Sequence, residues 1–415
     1  MPQTVQQPES TGCSAERLAR IRPVMQSYVD SGKFAGISTM LARRGRVIHF
    51  DQVGWQDRES RTPLAQDTIF RIYSMTKPIV CTALMTLLEE SRFQLFDPLA
   101  KFLPAFAKVR VLTGATAAEA RETDLVRPIL IRDLFTHTAG LTYNFLTDSP
   151  VCELYRQSGV MSNAERSLEA VVNELARLPL AYQPGTKWHY SMSIDVLAYL
   201  IEVISGKSIQ QFLHERLFGP LGMIDTAFSV PTEKRHRIAT MYGHPDITLN
   251  SLNDIVAAWQ QGQNDRRDVE STYPSTNTRS FARGGYGLFS TAADYMRFAQ
   301  MLLNRGELDG VRVISPRIAD LMHMNHLPAA LMPYSIGPIP FPGYGFGLGS
   351  RVLLNVAESA MPGSVGEFGW AGAARTYYWV DPQEQLIGVF MTQFMAAFDL
   401  PDKDFQVLAY QAIIN

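Results

Sequence analysis

Apolar and polar residues recur with a helical period in several parts of the chain. This spacing predicts helices over residues 14–31, 78–90, 194–205, 208–218, 292–304 and 402–413. Segment 78–90 stands apart, because apolar side chains cover most of its circumference. A helix that is apolar all round is buried inside a protein. We therefore expect the polar beginning of this helix to face a cleft rather than bulk water.

Stretches with β-strand character lie near both ends of the chain. Residues 36–42 and 46–50 flank a turn at Arg44-Gly45 and predict a hairpin, and residues 376–380 and 386–392 flank a second turn. The simplest assembly is an α+β fold. An antiparallel sheet built from both chain ends is flanked by helices, and a mostly helical lobe is inserted between its two parts.

The length of 415 residues favours a division into two lobes. We assign 14–90, 181–235 and 326–415 to an α/β lobe, and 91–180 and 236–325 to a helical lobe with irregular loops. Segments 243–286 and 327–350 have no period, and the second is rich in Pro and Gly. Long irregular loops often form the walls of a binding site, although a plain surface excursion has the same sequence character.

Composition narrows the classes of function. A hydrophobic content of 46% excludes wholesale disorder, and a net charge of −2 argues against a nucleic-acid partner. Three cysteines are too few for a disulfide framework and fit reduced thiols. The N-terminus resembles no secretory signal, and no apolar run approaches a membrane span. We expect a cytoplasmic protein with no membrane partner; the sequence does not predict its oligomeric state.

Ser74 and Lys77 are the first candidate catalytic pair. They are three residues apart, so they share one face of a helix, and Pro78 places them near its N-terminus. A nucleophilic serine needs a base, which a neutral lysine one turn away can provide. The spacing alone is weak evidence, since a helix cap followed by a surface lysine has the same pattern. Lysine is scarce, however, with 8 Lys against 30 Arg.

Further motifs follow in a recognisable order. Tyr190-Ser191-Met192 and Trp370-Ala371-Gly372 come after the Ser-x-x-Lys motif, with supporting phrases at 135–141 and 284–291. Over about residues 15–413 the chain resembles the serine β-lactamase and penicillin-binding-protein group, in its class C-like branch. It is most similar there to the family VIII carboxylesterases. The resemblance implies that group's fold and an acyl-enzyme mechanism.

The resemblance also implies roles for individual residues. Ser74 matches the acylated nucleophile, and Lys77 with Tyr190 matches the general base. The backbone N–H groups of Ser74 and Ala373 match the oxyanion hole. Both side chains of the base normally titrate near pH 10. We expect burial to lower the pKa of the lysine, and a nearby cation to lower that of the tyrosine.

Two departures from the penicillin-recognising pattern concern the substrate. Trp370-Ala371-Gly372 replaces Lys-Thr-Gly, and therefore lacks the lysine charge and threonine hydroxyl that help to bind a substrate carboxylate. Met192 replaces an asparagine, and a thioether cannot hydrogen-bond an acylamide as an amide does. We count Trp370, Ala371, Gly372 and Met192 as substrate-binding residues. Both departures favour hydrolysis of short-chain, neutral carboxylic esters.

Several alternatives stay open. The same residues could serve a class C-like β-lactamase or an acyltransferase, or the scaffold could be a non-catalytic binding protein. No Gly-x-Ser-x-Gly occurs, which disfavours a Ser-His-Asp hydrolase. We predict no cofactor and no metal: His323 and His326 lack companion ligands, and His137 is expected to be structural. His189 could equally line the cleft or be structural. Candidate aromatic walls are Tyr143, Phe145, Tyr344, Phe346, Trp370 and Tyr377.

Overall fold

The computed structural model of the protein describes residues 4–114, 121–276 and 281–415. Its strands are β1 (Gly36–Arg43), β2 (Arg46–Asp57), β3 (Thr62–Pro63), β4 (Phe70–Arg71), β5 (Val111–Thr113), β6 (Arg121–Thr123), β7 (Tyr242–Gly243), β8 (Asp265–Arg266), β9 (Phe289–Ser290), β10 (Glu307–Leu308), β11 (Val311–Arg312), β12 (Ser335–Ile336), β13 (Ile339–Pro340), β14 (Tyr344–Phe346), β15 (Arg351–Leu353), β16 (Phe368–Ala371), β17 (Tyr377–Asp381), β18 (Leu386–Met391) and β19 (Phe394–Met395). Its α-helices are α1 (Ala15–Leu18), α2 (Ile21–Asp30), α3 (Thr76–Glu89), α4 (Ile131–Phe135), α5 (Val151–Ser158), α6 (Leu168–Leu175), α7 (Ser193–Ser205), α8 (Ile209–Leu213), α9 (Gly219–Leu221), α10 (Leu252–Gln260), α11 (Ala292–Leu303), α12 (Pro316–Met322), α13 (Val356–Ser359) and α14 (Pro401–Tyr410).

An antiparallel sheet forms the centre of the fold. Its eight strands run in the order β14-β15-β16-β17-β18-β1-β2-β3. The N-terminal hairpin of β1 and β2 therefore lies beside the C-terminal strands, with Met40 opposite Val389 across the β1–β18 pair. This confirms the predicted α+β fold with an antiparallel sheet built from both chain ends.

The sheet is covered on both faces, which explains the buried character of β1 along its whole length. Side chains alternate across a strand, so successive residues enter different layers. Ile37 and Leu41 belong to an apolar layer with residues of α2 and α14. Met40 and Ala42 belong to the larger core on the other face, where α11 packs on the sheet.

Helices α3 and α7 bring the main sequence motifs together. The two helices pack on each other, and α7 also contacts α4 and α6. Helix α3 is buried from Thr76 to Leu87, as its all-round apolar pattern predicts. Because Ser74 and Lys77 lie at the start of α3 and Tyr190 just before α7, this packing places three candidate residues at one point.

Two predicted helices differ in detail. The segment 14–31 forms α1 and α2 with a break between them. Pro23 explains the break, since its nitrogen cannot donate to the carbonyl of Ala19 and its ring clashes there. The segment 208–218 begins as α8 and ends in a wider π turn over residues 214–218.

No helix in the described ranges combines the length and hydropathy needed to span a membrane. Residues 277–280 of the predicted irregular segment 243–286 lie outside the described residues. The assignment of the chain to two lobes stays a prediction.

Candidate active site

Ser74 lies in a 3-10 turn, Tyr73–Met75, immediately before α3. The loop that precedes α11 holds this turn in place. The amide of Ile72 donates to the carbonyl of Leu288 (3.0 Å), and the amide of Leu288 donates to Thr76 Oγ1 (3.1 Å). Tyr73 has a φ of 44°, a conformation that is rare for a bulky residue. The nucleophile candidate thus stands at the helix start, as the sequence predicts.

Lys77 is directed at this serine from one helical turn away. Its Nζ donates to Ser74 Oγ at 3.0 Å and to the carbonyl of Gly285 at 2.7 Å. The side chain is buried, and this burial lowers the pKa of Lys77 to about 7 despite the opposing charge of Asp195. A lysine with this pKa is substantially neutral at physiological pH, so its amine can accept a proton.

Tyr190 also lies at the serine, on the wall of the same cavity. Its hydroxyl accepts from Trp370 Nε1 at 3.2 Å, and its interaction with Ser74 acts to lower its pKa. Lys77 Nζ lies 4.5 Å from the centre of the tyrosine ring. Burial nevertheless raises the pKa of Tyr190 above its ordinary value, and the interactions with Ser74 and Trp370 offset only part of that effect. The expected lowering of this pKa is therefore wrong, because burial has the largest effect on it.

The turn after β16 places Ala373 on the same cavity wall as Ser74. The amide of Gly372 donates to the carbonyl of Thr376 (2.7 Å), and Thr376 Oγ1 donates to the carbonyl of Ile72 (3.1 Å). A Cβ on Gly372 would lie 2.4 Å from that same Ile72 oxygen, so only glycine fits here. These contacts tie the turn that carries Ala373 to the segment that carries Ser74, and an oxyanion hole formed by their two amides stays a prediction.

Ser74 opens into a cavity of about 250 Å³. Predicted residues on its wall are Ser74, Tyr143, Phe145, Tyr190, Trp370, Ala371, Gly372 and Ala373. Both irregular segments contribute apolar side chains to it: Ile247 and Leu252 from the first, and Ile336, Ile339 and Phe341 from the second. The binding-site interpretation of these segments is thus favoured over a plain surface excursion.

Some predicted wall residues lie elsewhere. Met192 is fully buried immediately before α7 and is absent from the cavity lining that the described residues form. Phe346 is fully buried behind the wall residue Trp370, and the two rings pack edge-on with their centres 5.2 Å apart. Tyr344 and Tyr377 lie on either side of the Arg351 guanidinium, each ring centre 5.0 Å from it. These four side chains support the cavity rather than contact its contents.

The histidines near the site have structural contacts. His137 is buried, its Nδ1 hydrogen-bonds with Ser191 Oγ (3.2 Å), and its ring packs on that of Tyr190 at 4.9 Å. His189 is bonded through Nε2 to Thr142 Oγ1 at 2.8 Å. It is absent from the cavity lining given by the described residues, so its structural interpretation is favoured over the cleft one.

No metal-binding cluster is found in the part of the chain that the structure describes. There, no group of three or more His, Cys, Asp or Glu side chains is arranged to hold an ion. His323 hydrogen-bonds with the carbonyl of Ala319 and His326 with that of Leu321, both at 2.8 Å. Both imidazoles are thus engaged with backbone.

Four further residues at the site were not named in the sequence-based prediction. The carbonyl of Gly285 accepts from Lys77 Nζ, and Asp195 accepts from the Gly285 amide. Arg351 and Arg375 line the cavity but are ion-paired with Glu367 at 3.2 Å and with Asp402 at 2.7 Å. Gly285 lies within the phrase 284–291 that the resemblance singled out. The two arginines carried no sequence signal, because only the fold brings their carboxylate partners to them.

Comparison with known proteins gives a consistent result. A family model described as Beta-lactamase matches residues 21–412. Protein Rv1367c of Mycobacterium tuberculosis is 37% identical over 373 residues, covering 89% of this chain and 88% of that protein. Esterase EstB of Burkholderia gladioli is 27% identical, covering 89% and 88%. The solved structure of "EstCE1, a hydrolase with promiscuous acyltransferase activity" superposes with a TM-score of 0.77 at 25% identity, covering 96% and 99%.

Proposed function

The chain belongs to the beta-lactamase family, and from that premise we propose that it is a serine carboxylesterase acting on short-chain acyl esters. One observation carries the proposal. Ser74 Oγ, on the wall of a largely apolar cavity, accepts a hydrogen bond from Lys77 and shares that wall with Tyr190, whose pKa it affects. A serine beside a neutral lysine and a tyrosine that can relay a proton, with no charged group of the Lys-Thr-Gly type nearby, is suited to a neutral ester.

Acylation starts with Ser74 Oγ attacking the ester carbonyl carbon while its proton passes to the neutral Lys77 amine. The carbonyl oxygen becomes an oxyanion, which the amides of Ser74 and Ala373 stabilise. When the tetrahedral intermediate collapses, the bond to the alkoxy oxygen breaks. That oxygen takes a proton through Tyr190, which Lys77 resupplies, and the alcohol leaves. Tyr190 is suited to this relay because its raised pKa keeps its proton on.

Deacylation repeats these steps with water as the nucleophile. Water attacks the acyl carbon, gives its proton to the base, and the bond to Ser74 Oγ breaks as the serine is reprotonated. An alcohol that replaced water at this step would give a new ester. That alternative, an acyltransferase, is favoured by the likeness to EstCE1, a hydrolase with promiscuous acyltransferase activity.

Trp370 is the residue that favours esters over β-lactams. Its indole lies on the cavity wall, with Nε1 committed to the Tyr190 hydroxyl. The two arginines on the wall do not replace the missing lysine, since each is paired with a carboxylate of the protein. A β-lactam or peptide carboxylate would therefore find no unpaired cation at this position.

A side-by-side assay tests the proposal. Wild-type protein and Ser74→Ala are incubated with a p-nitrophenyl butyrate ester, a chromogenic cephalosporin and a D-Ala-D-Ala peptide. We expect the ester to be turned over fastest, and all turnover to be lost in Ser74→Ala with the thermal midpoint retained. Faster cleavage of the peptide or cephalosporin would overturn the substrate assignment. Retained ester activity in Ser74→Ala would overturn the nucleophile.

A further inference from the structure

The orientation of Lys77 depends on a single backbone carbonyl. Its Nζ is buried, and besides Ser74 Oγ the acceptor it contacts is the carbonyl oxygen of Gly285, at 2.7 Å. Within the described residues, Lys77 forms no ion pair with a carboxylate. An amine on a flexible four-carbon stem has many rotamers. Whatever fixes the Gly285 peptide therefore also fixes the direction of this amine.

Asp195 fixes that peptide. It is the third residue of α7 and is fully buried, and its Oδ1 accepts the Gly285 amide at 3.1 Å. The fit is close, because a Cβ on Gly285 would lie 2.6 Å from Asp195 Oδ2 and 2.9 Å from the Tyr143 hydroxyl oxygen. The amide and the carbonyl of Gly285 thus connect Asp195 with Lys77.

The second oxygen of Asp195 is the observation that a purely structural role does not explain. In the described part of the chain, Oδ2 is buried and has no hydrogen-bond partner. An unpaired buried carboxylate oxygen costs free energy, and holding one amide needs only one acceptor oxygen. A residue with a single acceptor would hold the loop at lower cost. The retained carboxylate therefore indicates a role for its charge.

We propose that Asp195 is a positioning residue for catalysis, which holds the Gly285 peptide so that its carbonyl aims the Lys77 amine at Ser74. This inference rests on the proposed function of Lys77 as base. The charge of Asp195 has a second effect, since it raises the pKa of Lys77 against the lowering by burial. Without that charge, the amine would lose its proton at a lower pH.

Other groups also face this pair and must be considered in any pH profile. Facing Lys77 or Asp195 are Cys81 on α3, Tyr143, Tyr190, His137, Arg283 and Tyr286. Burial raises the pKa of Cys81 and of the three tyrosines, and lowers that of His137, so these groups are neutral near pH 7. Burial also raises the pKa of Asp195 itself, which the nearby Arg283 and Lys77 oppose; when ionised, Asp195 is the carboxylate whose removal changes the charge next to the lysine.

The test uses phosphonylation of Ser74 by a fluorophosphonate, in which Oγ displaces fluoride and its proton passes to the base. Rates are measured from pH 5 to 9 (roughly the window in which the base titrates) for wild type, Asp195→Asn and Asp195→Ala. Asp195→Asn keeps an acceptor oxygen and removes the charge, so we expect the acid limb to move down by about one pH unit. Asp195→Ala removes the acceptor too, so we expect the plateau rate to fall by about tenfold or more.

Asp294 provides a matched control. It is the third residue of α11, is nearly buried, and accepts the amide of Asp225 at 2.8 Å, away from Lys77. Asp294→Asn should leave both limb and plateau unchanged. An unmoved acid limb in Asp195→Asn, or a wild-type plateau in folded Asp195→Ala, would overturn the proposal. If Ser74→Ala were labelled as fast as wild type, the proposed function itself would fail, which is a distinct outcome.

Discussion

The two sides of the cavity are built in different ways. On the catalytic side, Ser74, Lys77 and Tyr190 stand at the starts of α3 and α7, two helices that pack on each other in the core. On the substrate side, much of the wall comes from segments 243–286 and 327–350, whose regular elements are short, with Ile339 of β13 still 53% exposed. The difference teaches that the candidate catalytic residues are positioned by the core of the protein. The fit to the substrate depends instead on side chains that can change at little cost in stability.

Lys77→Met should give the largest effect and separate activity from stability most sharply. Removal of the base should lower kcat by about a thousandfold or more. The same change removes an amine whose charged form is disfavoured by burial, so the free energy of unfolding should rise by roughly a few kcal/mol. Ester turnover and denaturant titration at pH 7 measure the two effects.

Lys101→Met is the control for that variant. Lys101 is exposed and pairs with Asp97 at 2.9 Å on the surface, so its loss should change neither quantity by much. A lower stability for Lys77→Met than for wild type would contradict the view that this lysine is held in the core against its own solvation preference.

Tyr190→Phe should have the next largest effect. It keeps the ring that packs on His137 and removes the hydroxyl that contacts Ser74 and Trp370. We expect kcat to fall by about 10²- to 10⁴-fold with a small change in KM, because the lost interaction belongs to proton transfer. Tyr182→Phe, whose hydroxyl contacts Asp148 at 3.2 Å, is the matched control. An unchanged kcat would remove Tyr190 from the mechanism.

The pH profile should follow the pKa of Lys77. Its value of about 7 lies below the ordinary 10.5, so kcat/KM should fall about tenfold per pH unit below pH 7. The unfolded chain keeps the lysine proton up to its ordinary pKa. Between pH 7 and 10.5 it therefore binds more protons than the folded protein, and this group makes stability rise with pH across that window. A kcat/KM that is flat between pH 5 and 8 would contradict the assignment.

Changes on the substrate wall should be the smallest and should act on affinity. Phe341 lies on the cavity wall and stacks on Tyr334 at 5.2 Å. Phe341→Ala should raise KM for a hexanoate ester by roughly three- to tenfold while kcat on acetate changes little. Phe96→Ala, at an exposed position outside the cavity, is the control. A loss of kcat on acetate equal to the loss on hexanoate would remove the distinction between the two sides.

The catalytic side could largely be predicted from sequence. Ser74, Lys77 and Tyr190 belong to motifs in a fixed order, and the all-round apolar pattern of 78–90 already indicates that its polar start faces a cleft. The sheet strands β1, β2, β17 and β18 followed from patterns at both chain ends, whereas β14 and β15 had no such pattern. Local spacing and a family resemblance suffice where the functional residues lie on regular elements.

The substrate side could not be predicted in the same way. Irregular segments have no period, so the sequence indicates a wall without saying which side chains form it. Phe346 and Tyr377 are as aromatic as Tyr143, and only the three-dimensional packing separates support from lining. Asp195 was missed for a related reason, since its partner Gly285 is 90 residues away in the chain.

The account centres on an acyl-enzyme at Ser74, which rapid quenching tests directly. Wild-type protein is mixed with excess p-nitrophenyl butyrate, quenched in acid within the first turnovers, and digested for peptide mass spectrometry. We predict a mass increase of one butyryl group on the peptide containing Ser74, located on that serine by fragmentation, and no increase in Ser74→Ala. A butyryl group on another residue, or turnover with no acylated serine at any quench time, would contradict the account.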